Sequence, residues 1–439
     1  MYAQVAVENV NCTFDKDYDY SIPQQLEGKA LVGCRVAVPF GIGNRKRIGI
    51  ITRLTDSTQG KRIKSISAVL DEAPLLSNEM MSLARWISEQ TFCTYYEAVK
   101  AMLPAGINHK IIRSFCAVPG VDESVIASLD SDEKQVYDYL LSRSGYVKPE
   151  NFLKTLGFDV SSDIPERLLK AGLLAANDDA VRNIGDNNIR MVRLCEGSDD
   201  VSMTKKQSEV VNVLKDVGSV SVKELCYFTG YTPSVISALE KKSVVECFER
   251  EELRSFVSRY AVQSAYDSGE IHLTDEQQKA YDGLLEDYKS GTGKTALLYG
   301  VTGSGKTSVY LKLIDAVLAD NKTVIVMVPE ISLTPQTLSV FHSRYNDGVA
   351  VFHSALSAGE RADEWKRVKN GDAKIVIGTR SAVFAPLENI GLIIIDEEQE
   401  HTYKSEQTPR YNAKSVARYR AAWHKGLTLL ASATQSVES

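Results

Sequence analysis

Apolar and polar positions follow three different rhythms along the chain of 439 residues. Up to about residue 70 the apolar runs are short. Residues 3–7, 34–39, 48–53 and 65–70 carry β-branched side chains between Gly, Asn and Asp turns, predicting a small barrel or curled sheet. Over residues 77–101 the period lengthens to that of a helix, with Met80, Leu83, Trp86 and Ile87 on one face. Two stretches with a common layout follow. The first predicts helices at 133–141, 149–156 and 164–173; the second predicts helices at 206–214, 222–228 and 233–242 and a strand at 244–250. Three short helices and a β wing form the winged-helix pattern, clearer in the second copy. There Thr229-Gly230-Tyr231-Thr232 makes the turn and Thr232 is placed to cap the third helix. Such modules often read DNA with that helix, but Ser237, Glu240, Lys241 and Lys242 are not strongly basic as a set, so packing or protein contact stays open as its role. Residues 177–200 are polar and acidic and read as a linker.

From Leu273 onward strands alternate with helices, the mark of a parallel α/β sheet. Strands are expected at 297–300, 324–328, 349–352, 375–377, 392–395 and 427–431, each a largely apolar run of the kind covered on both faces. The fold class is therefore multidomain α/β plus β, divided at 1–105, 106–200, 201–262 and 263–439.

Composition refines this picture only in places. The formal net charge is −6, so nucleic-acid binding must rest on local patches. Residues 1–70 supply one, with ten Lys/Arg against six Asp/Glu and clusters at Arg45-Lys46-Arg47 and Lys61-Arg62-x-Lys64. A solvated β surface and a single-strand binding face fit those clusters equally well. The seven cysteines are scattered without a C-x-x-C pair, and the six histidines lack paired ligand spacing, so no Cys/His metal site is readable. No signal peptide and no bilayer-spanning apolar run is evident, which suits a cytoplasmic protein without membrane contact.

The chemistry concentrates after residue 273. Gly300-Val301-Thr302-Gly303-Ser304-Gly305-Lys306-Thr307 fits the phosphate-loop pattern and follows an apolar run. Its glycines let backbone N–H groups close on a polyphosphate, Lys306 reaches the outer phosphates, and Thr307 offers a hydroxyl to Mg²⁺. The neighbouring Gly291-Thr292-Gly293-Lys294-Thr295 has Tyr288 where a first glycine should stand and reads as a decoy. A second buried run delivers Asp396-Glu397-Glu398-Gln399 to the carboxyl edge of the sheet. There Asp396 would hold Mg²⁺ and Glu397 would orient and deprotonate a water. Ser432-Ala433-Thr434, the stretch 328–336 and Gly378-Thr379-Arg380-Ser381 end other strands on that edge. Their hydroxyls, helix starts and one Arg suit a phosphodiester backbone without base reading.

Taken in order, the phosphate loop, P-E-x-x-L-T-P-Q, G-T-R-S-A, D-E-E and S-A-T resemble superfamily 2 helicases. More narrowly they resemble the PriA family of bacterial primosomal replication-restart helicases. Tyr18-Asp19-Tyr20, residues 33–41 and residues 47–51 are similar to that family's 3′-DNA-end-binding domain. The resemblance implies a pocket for the terminal nucleotide at Tyr18, Asp19, Gly41 and Lys64, and an adenine reader at Gln277. It implies a RecA-like first motor lobe, ATP and Mg²⁺ as cofactors, and forked or branched DNA with a 3′ end as partner. Single-stranded DNA-binding protein and primosome proteins are its further implied partners. DNA contacts would come from Thr379, Arg380 and an aromatic-rich loop with Tyr403, Lys404 and Tyr411, where Tyr403 and Tyr411 are the stacking residues. The implied activity is ATP-driven 3′-to-5′ unwinding that restarts stalled replication forks. A DNA-structure-binding recruitment scaffold, or another superfamily 2 translocase, is the alternative. Two departures stand out: Gln399 where the family often has His, and Pro409 where Trp is common. The sequence stops at Ser439, so the second lobe, its arginine finger and the zinc-binding cysteine cluster are expected outside this N-terminal portion, with negligible ATP turnover by the portion alone.

Overall fold

The computed structural model describes residues 1–11, 13, 15–41, 43–58, 62–121, 123–182, 188–195, 202–251, 269 and 271–434. Lys61 of the second basic cluster, Cys12 and the boundary expected at 262/263 lie outside them.

Strands β1 (Tyr2–Val7), β2 (Tyr18–Ser21), β3 (Arg35–Phe40), β4 (Arg45–Thr55), β5 (Lys64–Ser65) and β6 (Ala68–Val69) form one sheet in the order β5-β2-β1-β4-β3-β6. Ile50 and Ile51 of β4 are buried on its two opposite faces, Ile51 in the core of the curled sheet and Ile50 in the core shared with the helices that follow. Only Ile66 and Ser67 separate β5 from β6, yet these strands sit at opposite edges. The Ile66 N–H donates to Ser21 O at 3.0 Å and the Ser67 N–H to Ala37 O at 2.8 Å, so the sheet curls until its edges meet. Strand β2 was not legible, because Tyr18-Asp19-Tyr20 follows a polar, Asp-rich run.

The helix expected over 77–101 is two: α1 (Asn78–Thr91) and α2 (Tyr95–Met102). Phe92 takes a left-handed φ of +52°, and Thr94 restarts the chain with a capping box to Glu97. Helical periodicity survives such a break, which is why the pattern hid it.

Strand β7 (His109–Ala117), helices α3 (Glu123–Ala127), α4 (Ser131–Leu141), α5 (Pro149–Leu156) and α6 (Ile164–Lys170), and β8 (Leu174–Arg182) share one core around Phe115, Tyr137 and Phe152. Next come β9 (Asn188–Leu194), α7 (Lys205–Val217), β10 (Ser219–Ser221), α8 (Val222–Thr229), α9 (Pro233–Lys241) and β11 (Val245–Glu251), with a core around Val192, Leu214 and Leu239. The linker reading of 177–200 is therefore corrected: much of it is strand. Strand β8 pairs with β7, and β9 is the central strand between β10 and β11. The acidic residues misled because their partners are far away in sequence. Asp178 accepts from Arg113 Nε at 2.7 Å and from the Lys46 N–H at 3.3 Å. Arg45 faces Glu166 at 3.1 Å, so much of the first basic cluster docks the 109–182 segment onto the curled sheet. Thr232 precedes α9 without capping it; its hydroxyl meets that of Ser234 instead.

The remainder is α10 (Asp275–Lys289), β12 (Thr295–Tyr299), α11 (Lys306–Ala319), β13 (Thr323–Met327), α12 (Pro335–Tyr345), β14 (Val349–Phe352), α13 (Ala358–Asn370), β15 (Ile375–Gly378), β16 (Ile390–Ile395), α14 (Ala413–His424) and β17 (Leu427–Ser432). All neighbours in the order β12-β17-β16-β13-β15-β14 run parallel. Strands β13, β15, β16 and β17 are buried on both faces as expected. Strand β12 is not: it is the sheet edge, with Leu297 38% and Tyr299 60% exposed. The decoy Gly291–Thr295 stretch is the turn from α10 into that strand.

One hydrophobic core joins the first hundred residues to this sheet. Leu83, Ile87, Val99 and Ile107 belong to the same buried cluster as Ile393, Val416 and Ala421. Within it, Arg420 Nε donates to Glu79 Oε1 at 2.6 Å and Nη2 to Glu79 Oε2 at 3.0 Å. At Gly106 a Cβ would stand 2.0 Å from Ala358 O, so backbone meets backbone there. Among the described residues no helix is long and apolar enough to cross a membrane.

Candidate functional site

The phosphate loop leaves β12 and enters α11, with Gly305 as N-cap at φ +79°. Glycine is required at Gly305 by its φ, and at both Gly305 and Gly300 a side chain would displace a neighbour. A Cβ at Gly300 would meet Ser304 Oγ at 2.6 Å, and one at Gly305 would meet Gln277 Nε2 at 2.3 Å. The Lys306 ammonium folds over the loop, donating to Gly300 O at 2.6 Å and to Val301 O at 3.3 Å. Those carbonyls are weak partners for a full charge, and a polyphosphate in the cradle would replace them. Thr302 and Gly303 form the exposed crown, and Thr307 is exposed on the first turn of α11. Gln277 is fixed at both ends of its amide. Oε1 accepts from the Thr274 N–H at 3.0 Å, and Nε2 donates to Ser304 O at 2.9 Å. It therefore braces the loop.

Strand β16 delivers Asp396 and Glu397 beyond the same edge. Burial raises the Asp396 carboxyl above its ordinary range and the Glu397 charge adds to this; the Glu397 N–H and the Lys306 charge oppose them. Asp396 Oδ1 accepts from the Glu397 N–H at 3.0 Å. Glu397 itself is held at φ +45°, a left-handed conformation unusual for Glu and typical of strained functional turns. Gln399 Nε2 donates to Glu397 Oε2 at 2.8 Å, and its Oε1 accepts from Ser432 Oγ at 2.6 Å. A glutamine amide can donate and accept at once, so it links the acidic motif to Ser432 at the end of β17. Glu398 is fully buried and paired with Lys414 at 2.7 Å, a structural role on α14. Asp396 and the Thr307 hydroxyl suit a hard divalent cation, which would supply charge neutralisation on phosphate oxygens. Among the described residues no group of three His, Cys, Asp or Glu forms a metal site by itself.

Beside this edge lies a polar groove of about 670 Å³, lined by Glu330, His353, Arg361, Thr379, Lys404 and Tyr411 among others. Arg380 also lines it, but its Nη1 donates to Thr402 O at 3.1 Å and Lys404 O at 2.6 Å, holding the loop that follows the acidic motif. Lys404 is exposed and Thr379 is largely buried. The stacking role expected of Tyr403 is corrected. It is 1% exposed, and its hydroxyl shares its one proton between Asp396 O at 2.6 Å and Met327 O at 3.1 Å. A ring sealed that way fixes the turn carrying Asp396 and offers no face to a base. Tyr411 is 8% exposed and packs edge-on to Phe384 at 4.8 Å, so only its rim reaches the groove.

Of the four residues expected to form a 3′-end pocket, the structure pairs Lys64 with Gly41 and places Tyr18 and Asp19 on the strand beside Lys64. Tyr18 and Asp19 lie on β2, Lys64 on the adjoining β5, and Lys64 Nζ donates to Gly41 O at 2.6 Å. Thr58 Oγ1 donates to Asp19 Oδ2 at 2.6 Å and Phe40 meets Tyr18 edge-on at 5.0 Å. Phe40 lay within the 33–41 stretch without being singled out, and Thr58 carried no motif that would have marked it.

Comparison with known proteins supplies the context. Residues 4–104 match the model of the 3′DNA-binding domain (3′BD) of PriA, and residues 274–439 match the DEAD/DEAH box helicase model. The chain is 35% identical over its full length to replication restart protein PriA of Bacillus subtilis, covering 54% of that protein. It is 32% identical to that of Synechocystis, with 96% of this chain and 50% of the relative covered. The PriA of Haemophilus influenzae is 28% identical, with 96% and 48% covered. The chain thus spans about half the length of the curated relatives it matches. Among solved structures, the Pyrococcus furiosus Hef helicase domain aligns at TM-score 0.28 and 19% identity, covering 37% of this chain and 33% of that one.

Proposed function

The chain belongs to the PriA family of replication restart proteins, and on that premise we propose that it is the DNA-end-binding and ATP-binding part of a 3′-to-5′ DNA helicase acting at stalled or branched forks. The observation that carries the proposal is the Glu397–Gln399–Ser432 chain of hydrogen bonds. It links the carboxylate suited to activate water with the strand end beside the phosphate loop, where Gly300 N–H donates to Ser432 O at 3.2 Å. Tyr403 ties the loop facing the groove to the backbone of Asp396. A strand in the groove and a nucleotide on the loop would therefore act on one connected set of groups. Lys306 would bind the outer phosphates, Asp396 and Thr307 the cation, and Glu397 would orient the water and take its proton. Tyr18, Asp19, Gly41 and Lys64 would hold the terminal nucleotide of a 3′ end. The three-helix segment 205–251 fits a winged-helix accessory module. Single-stranded DNA-binding protein and primosome proteins are the partners proposed by family membership.

Binding tests both halves. Lys306→Ala should abolish binding of a fluorescent ATP analogue, and Asp19→Ala should abolish preference for a fork ending in 3′-hydroxyl over one ending in 3′-phosphate. Undiminished nucleotide binding by the first variant would refute the ATP site. Equal binding of both forks by the parent chain would refute the DNA-end reading.

A further inference from the structure

Helix α13 lies along the polar groove, and its charged residues are engaged with one exception. Glu360 closes a capping box with Ser357, Glu364 accepts from the Val351 N–H at 2.9 Å, and Arg367 Nη1 donates to Glu364 at 2.9 Å. Lys369 Nζ donates to Leu75 O at 2.9 Å. Arg361 stands in the first turn, with its backbone fixed by the bond from its N–H to Ser357 O at 3.0 Å. Its guanidinium has no hydrogen-bond or ion-pair partner among the described residues, and its Nε is buried. A buried unpaired donor calls for a ligand or solvent to complete it. Arg361 lines both the polar groove and a second cavity of about 350 Å³ beneath residues 100–108, walled by Phe352, Trp365 and Phe384. With open space on two sides, the protein supplies no acceptor.

His353 lines both spaces as well. Its Nδ1 accepts from the Ala355 N–H at 3.2 Å, which places the proton of the neutral ring on Nε2 and makes that atom a donor. Arg361 and His353 thus put two donors at the junction of the two spaces, and Ser381, the third residue lining both, adds a hydroxyl that can donate as well. Of the two groove cations marked by the sequence, Arg380 already holds two carbonyls and Lys404 stands exposed at the rim, whereas the Arg361 guanidinium holds no partner and has its Nε buried. Glu330 and Glu406 line the same groove; Glu330 Oε1 accepts from Ser354 Oγ at 3.3 Å, beside His353, so the cation of Arg361 also offsets that carboxylate for an incoming anion. We propose that Arg361, assisted by the His353 Nε2–H, is the phosphate-positioning residue of the groove, taking a phosphodiester oxyanion of a single strand. The planar fork of Arg suits such an oxyanion better than a point charge does. The inference rests on the DNA-binding reading above.

Binding of a fluorescent oligothymidylate to the chain, followed by anisotropy over a series of salt concentrations, tests it. Arg361→Gln should weaken binding about tenfold and flatten the slope of log K against log salt by about 0.7, the share of one phosphate contact on a single strand. Arg361→Lys should restore most of the slope while recovering only part of the affinity. A purely structural role would lower the melting temperature of Arg361→Gln without changing the slope, and that result overturns the proposal. Absence of any oligonucleotide binding by the parent chain overturns the groove reading together with it. An unchanged slope in a parent that binds overturns this inference alone.

Discussion

Glu79→Ala probes the junction between the DNA-end segment and the motor sheet. Arg420 is fully buried, and five hydrogen bonds engage its guanidinium: two to Glu79 and one each to Val383 O, Ala385 O and Leu387 O. Removing the carboxylate leaves the charge in place without its counterion, a loss of about 3–5 kcal/mol for buried pairs. The pH dependence gives a second route to the magnitude. Burial would raise the Glu79 carboxyl, but Arg420 and His424 outweigh it and bring it from 4.5 to about 2. The difference corresponds to roughly 3 kcal/mol by linkage. Because the folded value lies below the unfolded one, this stabilisation is complete above pH 4.5 and is lost as pH falls toward 2. Urea denaturation can be followed by tryptophan emission, since Trp86 of α1 packs on Tyr419 of α14 at 5.1 Å and Trp423 on that same Tyr419 at 6.4 Å. The parent should exceed Glu79→Ala by about 3–5 kcal/mol at pH 7. That gap should narrow as the pH is lowered below 4.5. The double variant Glu79→Met/Arg420→Met should recover only part of the loss, because three carbonyls then lack their donor. A gap below about 1 kcal/mol, or one insensitive to pH, would refute the reasoning.

Two other substitutions test single contacts. Gly106→Ala would drive a methyl group to 2.0 Å from Ala358 O, and the expected loss is about 1–3 kcal/mol with altered tryptophan emission; a calorimetric melt matching the parent would exclude that close approach. Tyr403→Phe keeps the ring but leaves Met327 O and Asp396 O without its hydroxyl, so a stability loss of about 1–3 kcal/mol is expected. Equal stability of Tyr403→Phe and the parent in urea titrations would show that the hydroxyl does not hold this turn.

The most legible parts of the chain were those whose cause is local. Residues 300–307 and 396–399 declare themselves because a glycine cradle and paired acids must be contiguous, and the apolar runs of β13, β16 and β17 are buried wherever they go. Illegibility followed sequence separation. Glu79 and Arg420 are 341 positions apart, and nothing near either one signals the other. Asp178 looked like a solvated linker residue because Arg113 and Lys46 are distant. Tyr403 resembled a stacking residue because an aromatic-rich loop shows composition and hides direction. Arg361 was overlooked for the opposite reason: its distinction is the absence of a partner, which no sequence pattern records.

The core that runs unbroken from α1 to β16 and α14 also sets a length. The seat around Tyr18 and Asp19 and the groove around Arg361 are built on bodies that cannot slide past one another without opening that core. A nucleic-acid strand occupying both must bridge a span fixed by the protein, and the number of nucleotides between them becomes a property of the fold. A ladder of oligonucleotides differing by one nucleotide would then bind with a threshold, and the threshold would read out the span directly.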